Sequence, residues 1–324
     1  MLILDFGLAD LGRTRFAISP MAETVFALRL WRHPDRAGPH IPWLRVAAGD
    51  LAAAGIDLEP ARHVIPGTGY VPDFLTPPAR SPIAGFEDEL AVVRATPAAV
   101  VRREIEHAYR GRRRPRGVVE LLADPRRAIR RIASALEGFW GVAVQPHWPR
   151  VRALLEADLA HRARRLTEAG TSALLAELHP QLRWRGDRLE ASTAFDARVA
   201  LEGRGLLLLP TAFFWHGIGP IVYPPWQPTL IYPARGLELL WDVPAPRPDA
   251  LARVLGPSRS ALLAELGVPR STAALAARVS LSAPAVSQHL GALRRAGLVT
   301  SSRHGREVLY LRTELSERLV AAGN

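Results

Sequence analysis

Cysteine is missing from this chain of 324 residues, and so is lysine: every strongly basic side chain is an arginine. With no thiol there can be no disulfide scaffold, thiolate metal site, iron–sulfur cluster or cysteine nucleophile, and a reduced cytosolic setting fits. The lack of lysine is the mark of a GC-rich genome and carries no mechanism. Long apolar runs are missing too, since no stretch reaches the roughly 18 residues that a membrane-spanning helix needs. The opening MLILDFGLADLGR carries Asp5 and Asp10 where a secretory signal has a basic and then an uninterrupted apolar region. Together these absences lead us to expect a soluble, cytoplasmic protein.

Signatures of catalysis are equally scarce. There is no HExxH, GxSxG or phosphate-binding loop, Gly67-Thr68-Gly69 alone is too little for a dinucleotide fingerprint, and the ten histidines include no pair at metal-ligand spacing. The expectation is a protein that is not an enzyme and needs no cofactor or metal. An enzyme with an appended DNA-binding domain stays open as an alternative.

What is present is ordinary globular composition, 48% hydrophobic and 23% charged, in a length that suits two domains. The net charge of +11 attracts polyanions at long range. Pro244, Pro246 and Pro248 mark an extended linker at 244–248. Beyond it, residues 249–324 hold 10 Arg against 5 acidic residues, whereas residues 1–243 and the linker together hold 32 against 26. Positive charge is therefore denser in the tail.

The tail also has the clearest periodicity. Leu251, Val254 and Leu255, then Leu262, Leu263 and Leu266, recur at helical spacing around Gly256 and Pro257. Ser271 can cap a helix over Thr272–Val279 that buries Leu275, Ala276 and Val279, and a turn at Ser280–Ser282 follows. Ser282 can cap a second helix, with Pro284 in its first turn and Gly297 ending it. At 100° per residue Val286, Leu290 and Leu293 share one face, while Pro284, Gln288, Gly291 and Arg295 share the other. Two alternating runs, Leu298–Ser302 and Glu307–Leu311, then read as a hairpin with the basic tip Arg303, His304, Gly305 and Arg306.

Helix, tight turn, helix and basic hairpin in this order make a winged helix-turn-helix. Through Val286-Ser287, His289-Leu290, Leu293 and Ala296-Gly297-Leu298-Val299, the stretch Ser271–Arg312 resembles the ArsR/SmtB family of bacterial regulators. The resemblance implies a DNA-binding transcriptional regulator, more often a repressor. It also implies a homodimer that meets half-sites about 34 Å apart, with dimer contacts from flanking helices, here the segments near Leu251–Leu255 and Leu315–Val320, or, since the final helix is short, in part from the larger amino-terminal domain. The family's metal-sensing cysteines and histidines have no counterparts here. Glu314 and Glu317, without a histidine beside them, read as a solvated pair, which implies a metal-independent member. A winged helix used for protein contact is the reading from another class.

For DNA contact the residues are Ser282, Pro284, Ser287, Gln288, His289, Arg294, Arg295, Arg303, His304 and Arg306. Gln288 is the base reader, because its amide can pair bidentately with adenine in the major groove. Ser282 and Ser287 lie near a helix amino terminus that favours phosphate, and the arginines suit backbone contact. His289 sits at the edge of the core face, where a local packing and hydrogen-bonding role competes with DNA contact.

Residues 1–243 read as α+β, a large mixed domain ahead of the winged helix. Strands are expected in ILDFGLA and RFAIS. Ser19 and Pro20 open a helix through Trp31, and further helices fall at Ala98–Tyr109, Pro125–Glu137 and Val151–Glu168. LRWRGDRLEAS reads as a hairpin, and GLLLLPTAFF and TLIYPAR as buried strands. This order, with YVPDFLTPP at 70–78, HRARRL at 161–166 and PPWQPTLIYPARG at 224–236, resembles the uncharacterised amino-terminal domain attached to some ArsR-type regulators. It supports an effector domain and leaves the signal unnamed. Phe214, Trp215, Tyr223, Trp226 and Tyr232, among prolines, can line an apolar ligand pocket or be core beneath a rigid loop. Arg110, Arg112, Arg113, Arg114 and Arg116 read as a solvated loop that can also extend a DNA footprint.

Overall fold

A computed structural model describes residues 1–193, 195–241, 250–267, 269–304 and 307–323. The linker expected at 244–248 and Arg306 of the wing tip lie outside these residues. The chain divides into two compact units, residues 1–241 and residues 242–324. Among the described residues, no helix is long and apolar enough to cross a membrane.

The first unit mixes helices with two four-stranded sheets. Strands β1 (Leu2–Asp5) and β2 (Arg15–Phe16) open it; β3 (Leu182–Arg185), β4 (Arg188–Ala191), β5 (Ala197–Ala200), β6 (Leu207–Thr211), β7 (Gly219–Ile221) and β8 (Thr229–Pro233) close it. One sheet has the order β3-β4-β1-β5 and the other β2-β6-β8-β7. The expected hairpin is β3-β4, antiparallel with Leu182 opposite Ala191. Strands β6 and β8 run parallel, Leu207 opposite Thr229.

Why β6 reads as an unbroken apolar run is plain from its surroundings. Side chains alternate across a strand. Leu207 and Leu209 enter a core built by the helices, with Val25, Trp43, Ile132 and Leu136, while Leu206 and Leu208 enter a second core with Leu2, Leu4, Leu189 and Leu230. A strand buried on both faces cannot show a polar alternation.

The helices follow local rules. Ser19 Oγ accepts from Ala22 N at the start of Pro20–Trp31, and Asp124 caps Pro125–Phe139 by accepting from Arg127 N at 3.0 Å. In the latter helix Ile129, Ile132, Ala133 and Leu136 are buried while Arg126, Arg127, Arg130 and Arg131 are exposed. The helix Trp148–Glu177 is two arms, because Gly170 (φ 76°, ψ 177°) reverses the chain. Arg165 Nη2 lies 2.7 Å from Glu177 Oε1, which a straight helix would separate by about 18 Å. The first arm ends where the leucine pattern of Val151–Glu168 does.

Two amino-terminal expectations change. The strand expected through ILDFGLA stops at Asp5, and Leu8–Arg13 is a helix. Asp10 explains it: its buried carboxylate accepts from Gly7 N at 2.8 Å and from Gly205 N at 2.9 Å, fixing a helical first turn against the β5–β6 connection. In RFAIS only Arg15–Phe16 is strand, since Ile18 turns to bond Pro82 O.

The second unit packs Leu262, Leu263, Leu266, Leu275, Val286, Leu290 and Leu293 into one core. Its helices are Ala250–Leu255, Pro257–Glu265, Thr272–Val279, Ala283–Arg295 and Glu314–Gly323. A three-stranded sheet completes it: β9 (Arg270–Ser271), β10 (Val299–His304) and β11 (Glu307–Arg312), in the order β10-β11-β9.

Candidate nucleic-acid interface

Caps and turn residues build the helix-turn-helix locally. Ser271 Oγ accepts from Ala274 N at 3.4 Å and opens Thr272–Val279, where Leu275 is buried and Ala276 and Val279 are partly so. Ser280 adopts the left-handed conformation (φ 54°) and ends that helix, and Leu281 N bonds back to Ala276 O. Ser282 Oγ then accepts from Ala285 N at 3.4 Å to start Ala283–Arg295. At the far end Gly297 (φ 70°) lets its own N–H reach Arg294 O and that of Leu298 reach Leu293 O, the paired bonds of a Schellman stop.

This places the two faces of Ala283–Arg295 as the spacing predicts. Val286, Leu290 and Leu293 are buried; Ser282, Pro284, Ser287, Gln288, Arg294 and Arg295 are exposed; His289 is half-buried at the edge. Gly291 leaves room on the outer face, and a Cβ there would meet Arg295 Nη1 at 3.6 Å, so this guanidinium folds back over Gly291. Arg294 reaches Ser301 Oγ on β10 at 3.4 Å and links helix to wing.

The wing is longer than expected. Its strands run to His304 and from Glu307, with His304 opposite Glu307 and Arg303 opposite Val308. Arg303 and His304 are thus strand residues rather than part of the connecting tip, because the ladder keeps pairing beyond Ser302. Arg303 is exposed. Sequence reading missed β9, whose Ser271 pairs with Leu309. Two residues have no period to detect, and Ser271 was legible only as a cap.

Electrostatics separates the cations of this unit. Arg278 bonds Glu265 and holds its carboxyl below the usual range, with Arg270 3.7 Å from the same carboxylate. Arg312 pairs with Glu317 at 3.1 Å and Arg318 with Glu314 at 3.0 Å, so the two glutamates of the last helix serve as ion-pair partners. Arg295 and Arg303 make no ion pair or hydrogen bond to the described residues, and nor does Arg253. The helix and the wing therefore each carry an exposed guanidinium that no described residue neutralises.

In the first unit Phe214, Trp215 and Trp226 border one core, while Tyr232 enters the other. Phe214 packs on Phe26 at 4.9 Å between ring centres, and Trp215 lies against Gly38. Tyr223 is exposed, and Trp226 donates to Glu104 Oε1 at 2.8 Å. Tyr232 is fully buried and donates to Asp158 Oδ2 at 2.9 Å. A cleft of about 70 Å³ includes Phe214, and one of about 520 Å³ includes none of them. Side-chain spacing along an irregular chain does not reveal which core each ring enters. Of the arginine run, Arg110, Arg112, Arg113, Arg114 and Arg116 are all exposed, and Arg116 pairs with Glu120.

Comparison with known proteins divides the chain in the same way. Residues 83–238 match a family of unknown function (DUF5937), and residues 255–302 match a helix-turn-helix domain. No curated protein and no solved structure matches the chain. The second match covers both capped helices and the first four residues of β10, and with the geometry above it indicates a DNA-binding helix-turn-helix regulator that carries a DUF5937 region ahead of its DNA-binding unit.

Proposed function

We propose that the protein is a sequence-specific transcriptional repressor of the ArsR/SmtB kind, metal-independent, homodimeric and not an enzyme, whose first unit senses a small molecule. The observation that carries the DNA-binding part is the division of charge: in the second unit the acidic side chains of Glu265, Glu314 and Glu317 are neutralised by arginines elsewhere, while Arg295 and Arg303, exposed like Gln288, make no ion pair or hydrogen bond to the described residues.

The mechanism follows from groove geometry. Ala283–Arg295 enters the major groove amino terminus first, Gln288 offers its amide to adenine, and Pro284 packs against the edge of the groove. Ser282 and Ser287 contact phosphate at the positive end of the helix dipole, as His289 can from its edge position. Arg294, Arg295 and Arg303, with His304 and Arg306 at the wing, bind the flanking backbone. Support for a second copy comes from apolar residues pointing outward on the flanking helices: Val254 is 81% exposed, Leu315 52% and Leu319 36%, although the opposite faces pack inward through Leu251, Leu255 and Val320. A ligand acts by binding the DNA-competent and incompetent arrangements with different affinity.

Fluorescence anisotropy with the DNA upstream of its own gene tests this. Salt-sensitive, sequence-selective binding that Gln288→Ala weakens at least about tenfold is expected, with the loss confined to operator DNA. Absence of binding at low salt would favour a winged helix used for protein contact.

A further inference from the structure

The cleft of about 520 Å³ in the first unit falls within the usual range for small-molecule sites, about 300–1,000 Å³. One wall is a single face of the first arm of Trp148–Glu177, where Arg150, Leu154, Ala157, Asp158 and His161 recur at helical spacing. The other is the segment after β8, from Arg235 through Gly236 to Leu240, with Glu238 exposed on it.

The charges here are already sorted. Asp158 is buried, accepts from Tyr232 Oη at 2.9 Å and Arg235 N at 3.3 Å, and lies 3.5 Å from Arg162 Nε. Arg162 in turn donates to Glu177 O at 3.1 Å and covers the Tyr232 ring at 5.5 Å. The buried carboxylate is thus balanced from beneath. Arg235 is different, for its exposed guanidinium makes no ion pair or hydrogen bond to the described residues. Desolvation, and then the guanidinium groups of Arg235 and Arg162, pull the His161 imidazole below its usual pKa, with Asp158 opposing them. An imidazole beside an unpaired guanidinium, next to the apolar surface of Leu154, Ala157 and Leu240, calls for an anion with an apolar body.

We propose that this cleft binds an organic carboxylate, its head group held by Arg235 and His161 and its hydrocarbon body lying on Leu154, Ala157 and Leu240. Guanidinium and carboxylate can meet in a bidentate pair, which gives the head group orientation as well as charge. The binding wall is also the last stretch of the first unit before the chain passes to the second, and it is pinned at Trp241, whose Nε1 donates to His40 Nδ1 at 2.8 Å. That this ligand is the effector rests on the regulator reading above; that the cleft binds it does not.

Octanoate titrated into the full chain, followed by calorimetry and by the His161 ring resonances, tests the site. Saturable one-to-one binding is expected, with the His161 pKa rising as the carboxylate arrives and affinity falling at least about tenfold in Arg235→Gln. His161→Gln, the second variant, should weaken octanoate while leaving the circular dichroism of the fold unchanged. Octylamine binding as tightly as octanoate, inorganic phosphate matching it, affinity unchanged in Arg235→Gln, or no saturable binding each overturns the proposal. Operator binding is measured alongside: its failure with octanoate still bound removes the regulator reading and leaves the site standing.

Discussion

Glu89 is buried against the start of the helix Pro20–Trp31, where its Oε2 accepts from Ser19 Oγ and Met21 N, both at 2.9 Å, while its Oε1 has no partner among the described residues. Burial pushes its pKa up from 4.5 to about 7 despite those two bonds. Glu23, which receives Ala212 N and Phe213 N at the end of β6, is likewise pushed up to about 7 by burial, and so is Asp73, by burial and then by the Glu104 carboxylate. A carboxyl whose folded pKa is raised contributes stability that is full below the unfolded value and is lost as pH rises through the folded one. His40 works in the opposite sense, since burial lowers it from 6.5 to about 4, so its contribution is full above 6.5 and lost as pH falls through 4. The two kinds of group oppose each other, and a difference between variants separates them. Glu89→Gln should gain stability relative to the parent between pH 4.5 and about pH 8, by up to about 3 kcal/mol, because the amide never ionises and its nitrogen takes the place of the unpartnered oxygen. Chemical denaturation across that range checks it; a difference that does not change with pH refutes the assignment. None of these carboxylates was marked in the sequence, because an isolated acid in a helix reads as surface until tertiary packing covers it.

At the scale of elements, the capped helices were the most legible part. Ser19, Ser271 and Ser282 each carry the side-chain bond that their position before an apolar period predicts. Ser282→Ala should cost about 1 kcal/mol of stability in the second unit, readable as a lowered denaturation midpoint. Gln288→Ala, exposed on the outer face, should change stability by less than about 0.5 kcal/mol and act on DNA alone. Equal losses of stability in both would mean that the outer face is packed after all. Gly170 is another test, as its φ of 76° with ψ of 177° is a conformation that L residues avoid. Gly170→Ala should destabilise the first unit by about 1–3 kcal/mol, seen in thermal melting. The strand in ILDFGLA failed as an expectation because a carboxylate reaching to Gly205 overrode a locally apolar run, and no window of neighbouring residues contains that partner.

On the scale of the whole molecule, charge and symmetry set the predictions. Operator affinity should fall steeply with salt, and Arg303→Gln should reduce the slope of log affinity against log salt by about one per protomer without altering sequence preference. Leu315→Arg, on the outward face of the last helix, should shift the protein to monomer by sedimentation and weaken operator binding while leaving the core of Leu262, Leu290 and Leu293 intact. A variant that stays dimeric would move the interface elsewhere.

The amino-acid order alone determined the winged helix-turn-helix, because caps, helical period and turn residues act within a few positions of one another and the apolar face there needs only its own neighbours. It also determined that the longer unit mixes helices with buried strands. Tertiary structure decided which strands pair, which core each side of β6 enters, where Gly170 folds the long helix back, and that Arg235 and His161, 74 positions apart in the chain, line one cleft. Such choices depend on contacts between distant segments, whose free energies arise only when packing removes both partners from water.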